Sequence, residues 1–173
     1  KLGFEQGLIT PVLVGEEIAI RKTAEGINWD ISKLRVVDTT SETDTADTAA
    51  ALARDGDVTA LMKGQIHTDT FMLGILKRKS GLRTGRRLTH IFHMTIPGSD
   101  RPLMTTDGAV NVTPNVDTRL QAAQNAIDLA HALGNKDPKV AVLSGTEEKS
   151  ESMPSSMEAA EITERAATEI KGG

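Results

Sequence analysis

Lys63 and Gly64 close a short apolar run and stand just ahead of Thr68 and Asp69, where a helical pattern begins. An ammonium beside a glycine, with helix N–H groups behind it, suits an anionic ligand. In open α/β sheets the loops at the carboxyl ends of strands are where ligands bind. A surface lysine that merely ends a strand fits the position equally well, because most residues of such loops bind nothing. The stretch before Lys63 lacks the glycines of a Walker loop.

A second group is TTDGAVNVTP, residues 105–114, in which Asp107 and Asn111 could hydrogen-bond a ligand or brace a neighbouring loop. Asx-turn chemistry, in which these side chains satisfy their own backbone, is the favoured reading of this segment alone. Arg78, Lys79, Arg83, Arg86 and Arg87 form a local basic cluster. It could attract a polyanion such as a nucleotide phosphate, although a solvated loop is the commoner meaning of such a cluster. Ser144 and Gly145 end another apolar run. His90 and His93 stand an odd number of residues apart on a predicted strand, so they face opposite ways and make a poor metal pair. His67 lies in the lysine loop, where it could touch a ligand, and His131 falls late in a helix, where a charge–dipole role suffices. No metal site is expected. No Gly-x-Ser-x-Gly elbow is present, which argues against an α/β-hydrolase serine.

Composition narrows the class further. The chain has 173 residues and a formal net charge of -4, with no basic excess that would mark a nucleic-acid surface. Aromatic residues make up only 2%, which leaves few stacking platforms for bases. Cysteine is absent, so disulfides, thiolate nucleophiles and cysteine-type zinc sites are excluded. That is compatible with the cytoplasmic location expected for the chain, although many exported proteins also lack cysteine. No apolar run approaches membrane-spanning length, so no membrane partner is expected.

The elements that must position these residues alternate. Strands are predicted over 10–14, 34–37, 58–62 and 139–143, and helices over 16–25, 46–54, 70–79, 117–133 and 156–170. Phe71, Leu73, Ile75 and Leu76 are the expected packing residues of the third helix. Leu120, Ala123, Ile127 and Ala130 have helical spacing in the fourth. Residues 88–96 and 102–106 read as an antiparallel hairpin turned at Pro97-Gly98. Strands spaced by helices argue for an α/β fold, a mostly parallel sheet with helices on both faces plus the hairpin. The opening KLGFEQGLITPVLVG reads as a helix tail feeding a strand, and AATEIKGG as a helix from which a strand would follow. Residues 1–173 are therefore expected to be a segment of a longer α/β protein.

LMKGQIHT, TDGAVNVTP and PKVAVLSGTE occur in this order, each at the end of a predicted strand. The series resembles the phosphate acetyl/butyryltransferase family, as do GLITPVLVG and SSMEAAEITERA. The resemblance covers nearly the whole chain. It implies reversible transfer of an acetyl or butyryl group between coenzyme A and orthophosphate, with acyl-CoA and phosphate as substrates and no cofactor. It implies a two-lobed α/β/α architecture related to isocitrate dehydrogenase, a homodimer, and an active site in the interdomain cleft. Carried over by motif, Lys63, Gly64 and Thr68 would lie near the phosphoryl or pantetheine end, Asp107 and Asn111 would shape the neighbouring wall, and Ser144 would end the strand facing it. These are positional matches without assigned catalytic roles.

The chain departs from the family pattern in two ways. The serine-arginine and aspartate elements assigned to catalysis in the family lie beyond the segment matched here. Acetyl-specific members carry an arginine on the helix after the lysine loop, where this chain has Gly74, and the Lys-Gly start is closer to the butyryl-type branch or to proteins fused to an enoyl-CoA hydratase. A non-catalytic acyl-CoA-sensing domain, as in some malic enzymes, is the alternative function. A decarboxylating dehydrogenase is a weaker third, lacking a visible metal-binding carboxylate cluster and nucleotide site.

Overall fold

A computed structural model describes all 173 residues. They divide into two compact units, Lys1–Thr84 and Gly85–Gly173. Both mix helix and strand. No helix is long and apolar enough to cross a membrane.

The first unit starts with a short helix α1 (Leu2–Glu5), followed by β1 (Val12–Gly15), α2 (Glu17–Gly26), β2 (Arg35–Asp38), α3 (Glu42–Arg54) and α4 (Thr68–Leu76), with a 3-10 turn at Arg78–Ser80. Valines at 12, 14, 36 and 37 favour extended backbone, and β1 pairs with β2 in parallel, from Val12 against Arg35 to Gly15 against Asp38. The helix joining them needs a cap that Glu16 does not provide. Asp38, at the end of β2, supplies it: its Oδ1 accepts from the Glu17 N–H at 2.8 Å. α3 is capped locally, with Ser41 Oγ accepting from Asp44 N at 3.2 Å, the ordinary way to satisfy a helix's first donors. At its other end Gly56 takes φ +81°, so that Asp57 N can return to Leu52 O at 2.9 Å, a left-handed closure that glycine permits. The only tryptophan, Trp29, rests against Phe4 with ring centroids 6.3 Å apart, and its buried indole N–H has no partner.

The second unit holds β3 (Ile91–Thr95), β4 (Pro102–Thr106), α5 (Val116–Ala132) and α6 (Pro154–Glu169). β3 and β4 form the antiparallel hairpin, from Ile91 against Thr106 to Thr95 against Pro102. α5 is capped by Asn115, whose Oδ1 accepts from Thr118 N at 2.9 Å, and α6 begins with Pro154 in its first turn, where the missing N–H costs nothing. Leu120, Ala123, Ile127 and Ala130 are all buried, as their spacing predicts, and Ile162 of α6 joins them. Ion pairs Arg165–Asp117, at 2.7 Å, and Arg119–Glu158, at 3.2 Å, run between these two helices.

The expected sheet is smaller than its apolar runs suggest. Residues 58–62 and 139–143 run without ladder bonds, so each unit keeps only a two-stranded sheet, one parallel and one antiparallel. An apolar run becomes a strand only when its backbone ladders with a neighbouring strand, and these two runs make no such ladder. Met62 is 88% exposed and Leu143 81%, so 139–143 is not the buried strand its composition implied. The hairpin's first strand also starts later than expected. Leu88 and His90 bond to side chains instead: Leu88 O accepts from Asn111 Nδ2, and His90 N donates to Asp107 Oδ1.

The contact face of α4 also differs from expectation. Leu73 and Leu76 are exposed, while Gly74 is buried. α4 lies so close to α3 that a Cβ built on Gly74 would stand 2.7 Å from Ala46 Cβ and 3.0 Å from its carbonyl carbon. Lys77 and Lys79 fasten the same junction by sharing Asp47, at 2.7 and 3.0 Å. Gly74→Ala improves helix propensity by about 1 kcal/mol but forces two backbones apart, an overpacking that costs about 1–3 kcal/mol. The second effect should win because backbone atoms cannot swing aside. Urea unfolding should show Gly74→Ala to be less stable, with part of the loss recovered when Ala46→Gly is added. An unchanged midpoint in the single variant would refute the close contact.

Candidate functional site

The lysine loop of the first unit is built from three neighbours. Lys63 is exposed, and its Nζ donates to Ile66 O at 3.0 Å and Gly64 O at 3.3 Å. The loop thus curls around its own ammonium, which is held by neutral carbonyls and not by a carboxylate. A third N–H remains for a ligand, since lysine carries three. Gly64 has open space where a side chain would sit. Thr68 is the first residue of α4 and is exposed. The first N–H groups of α4 have no helical acceptor and favour negative charge, part of which Asp69 already supplies by accepting from Thr70 N at 2.9 Å. Lys63, Gly64 and Thr68 therefore share one loop-to-helix junction whose chemistry suits an anion.

Glu42 braces that junction. This residue carries no signal in its local sequence, since it acts on a partner 25 positions away. Both its carboxylate oxygens lie against His67 Nδ1, at 2.8 and 3.0 Å, and Oε2 also accepts from the His67 N–H at 3.2 Å. His67 is the residue that opens α4. The hydrogen bond and then the charge of Glu42 raise the His67 pKa, helped by Asp69 and opposed by Lys63. The same side-chain and backbone bonds lower that of Glu42. The charged pair is thus complete between the two shifted values. It weakens as pH rises through the raised histidine value and is lost as pH falls through the depressed carboxylate value.

In the second unit Asp107 and Asn111 are bonded to each other, which is the Asx-type arrangement read from the sequence. Asp107 Oδ1 accepts from His90 N at 2.9 Å and Val110 N at 3.3 Å. Its Oδ2 accepts from Asn111 N at 2.9 Å and Asn111 Nδ2 at 2.5 Å. Burial pushes the Asp107 pKa up, but the Asn111 side chain and the His90, Asn111 and Val110 N–H groups outweigh it and hold the carboxyl at about 2. Asp107 therefore braces its own turn. Together with Asn111 it lines a cavity of about 1100 Å³ between the hairpin, α5 and residues 138–143. Ser144 is bonded elsewhere, to Ser155 Oγ at 3.0 Å near the start of α6.

The remaining sequence candidates carry less. Lys79 and Arg86 of the basic cluster are paired with Asp47 and Asp128, while Arg78, Arg83 and Arg87 are exposed in the manner of a solvated loop. His90 packs its ring against Phe92, with centroids 4.3 Å apart. Gly74 faces α3, so this position presents nothing to a ligand. Replacing Glu42 by Gln removes the charge that sustains His67. A nuclear magnetic resonance titration of that variant should place the His67 pKa back toward the usual 6.5. An unmoved titration would mean that the pair does not form.

Residues 39–171 match the family described as phosphate acetyl/butaryl transferase. A phosphate acetyltransferase of Rhizobium meliloti is 41% identical over 170 residues, covering 98% of this chain and 54% of that protein. A phosphate butyryltransferase of Clostridium beijerinckii is 33% identical over 160 residues, covering 92% of this chain and 53% of that protein. The crystal structure of a branched-chain phosphotransacylase from Enterococcus faecalis V583 matches with a TM-score of 0.74 at 26% identity, over 91% of this chain and 64% of that one. The chain spans about half the length of the curated relatives it matches. The matched residues include Lys63, Gly64, Thr68, Asp107, Asn111 and Ser144, and on this evidence the chain belongs to the phosphate acetyl/butaryl transferase family.

Proposed function

We propose that this chain serves the reversible transfer of an acetyl or butyryl group between coenzyme A and orthophosphate. The observation that carries the reading is the family match over residues 39–171, which takes in both the lysine loop and the Asp107 turn. The chemistry is consistent with what those residues offer. A phosphate oxygen attacks the thioester carbonyl, charge builds on the carbonyl oxygen, and a thiolate leaves. Both phosphate and thiolate are anions, so such a site needs cations and fixed donors more than it needs a covalent nucleophile. Lys63, Thr68 and the start of α4 supply donors of that kind. Lys63, Gly64, Thr68, Asp107, Asn111 and Ser144 are proposed as substrate-binding positions. Coenzyme A and phosphate enter as substrates, with no cofactor. An isocitrate dehydrogenase-like architecture, a homodimer and a cytoplasmic location belong to the same proposal.

The test is phosphate-dependent release of coenzyme A from acetyl-CoA and butyryl-CoA, measured on the chain and on a longer polypeptide that carries it. The ratio of the two rates gives the acyl preference. Loss of a charge-assisted hydrogen bond is worth about 1.5–3 kcal/mol, so Lys63→Ala should lower kcat/KM by about 10- to 100-fold. Absence of transfer with either thioester in a folded longer protein would overturn the proposal. Calorimetric binding of acyl-CoA without transfer would instead favour the acyl-CoA-sensing alternative.

A further inference from the structure

The hydrogen-bond inventory of the Asp107 turn limits what it can hold. Both hydrogens of Asn111 Nδ2 are engaged, one on Asp107 Oδ2 and one on Leu88 O at 3.1 Å. Turning the amide over would set its oxygen against a carboxylate and a carbonyl, so the network fixes its orientation. What remains is Asn111 Oδ1, an acceptor with no partner in the chain, on a half-exposed side chain that lines the cavity. The carboxylate beside it is already saturated by N–H groups. Those donors outweigh burial and hold its pKa at about 2, so it keeps a negative charge at this wall.

The charges elsewhere on the cavity wall do not reverse that sign. Arg119 is tied to Glu158 at 3.2 Å and to Pro114 O at 3.2 Å. Lys139 is tied to Asp137 at 2.8 Å. Ala122, Ala123, Ala126, Ile127, Val140 and Val142 make much of the rest apolar. Beside Asn111 an anion would meet a carboxylate, an amide oxygen and hydrocarbon, while the cavity's cations, Arg119 and the exposed Lys139, are each paired with a carboxylate and His93 lines the hairpin side. A neutral donor on an apolar chain would meet the opposite: a free acceptor strengthened by an adjacent negative charge, and an apolar wall to lie against.

We propose that Asn111, oriented by Asp107, is a specificity residue that accepts a hydrogen bond from a neutral amide N–H on an elongated apolar ligand arm, and that this wall excludes phosphate. The identity of the arm rests on the acyl-transfer reading: the pantetheine portion of coenzyme A is neutral, extended and carries two amide N–H groups. Phosphate recognition then falls to the lysine loop, and the two halves of the substrate pair are read by opposite hydrogen-bond chemistry.

The experiment uses the 173-residue chain and two probes, pantetheine and inorganic phosphate at matched ionic strength. Nuclear magnetic resonance follows the Asn111 side-chain NH2 group and the backbone amides of residues 107–112. Pantetheine should shift these signals saturably, and phosphate should leave them in place. Pantetheine methylated at both amide nitrogens should bind at least tenfold more weakly, a comparison that alters the ligand and leaves the turn intact. Equal binding of the methylated compound, a saturable shift with phosphate, or no shift with pantetheine would overturn the proposal. Coenzyme A release by a longer protein without pantetheine shifts at 107–112 would sink this inference alone. Pantetheine shifts without any transfer would sink the acyl-transfer reading and leave this one standing.

Discussion

Both units are held together by helices that meet over very small side chains. Gly74 of α4 lies on Ala46 of α3, and Ala50 of α3 is almost wholly buried. In the second unit Ala122, Ala123 and Ala130 of α5 are buried around Ile127, and Ile162 of α6 completes the core. Small side chains bring backbones close, and dispersion rises steeply as gaps close. They bury little area, however, so these cores have few large apolar groups to give. Any added methyl is then felt by a neighbouring backbone and not by a yielding side chain.

Cores of this kind leave the loops to be fixed by polar means, and carboxylates do much of that. Asp38 caps α2 from the end of a strand, Glu42 holds His67 at the start of α4, Asp47 gathers Lys77 and Lys79, and Asp107 closes its turn on His90, Val110 and Asn111. These groups are mostly exposed, so single pairs add modestly to stability. Their larger effect is on conformation. Glu42 determines where α4 begins, and Asp107 determines which atom of Asn111 is left free. In both cases the acid shapes the turn or helix start on which a neighbouring donor or acceptor is presented.

Periodicity and turn chemistry were legible in the sequence. The stripe from Leu120 to Ala130 predicts the buried face of α5, Pro97-Gly98 predicts the hairpin, and Asp107-Gly108 with Asn111 predicts a self-bonded turn. All three depend on neighbours within about one or two helical turns or a single hairpin. Residues 58–62 and 139–143 misled because apolar composition reports a tendency to be covered, whereas a strand also needs a partner aligned to ladder with it, which local sequence does not encode. The packing face of α4 was misread as well. Leu73 and Leu76 were expected to pack, but both are exposed, and the missing side chain of Gly74 is the contact surface. Glu42 could not have been found at all from local pattern, because its partner His67 is brought to it only by the packing of α3 and α4. The family resemblance succeeded where single motifs were ambiguous, because it used their order along the chain.

The placement of Trp29 divides the molecule optically. The chain has one tryptophan and no tyrosine, and Trp29 lies in the first unit against Phe4. Its indole N–H is buried without an acceptor, so its emission depends on whether water reaches that nitrogen. The second unit has only phenylalanine as an aromatic chromophore, at Phe92. Intrinsic fluorescence excited at the tryptophan band therefore watches one unit melt while the other stays dark, whereas circular dichroism sees the helices of both.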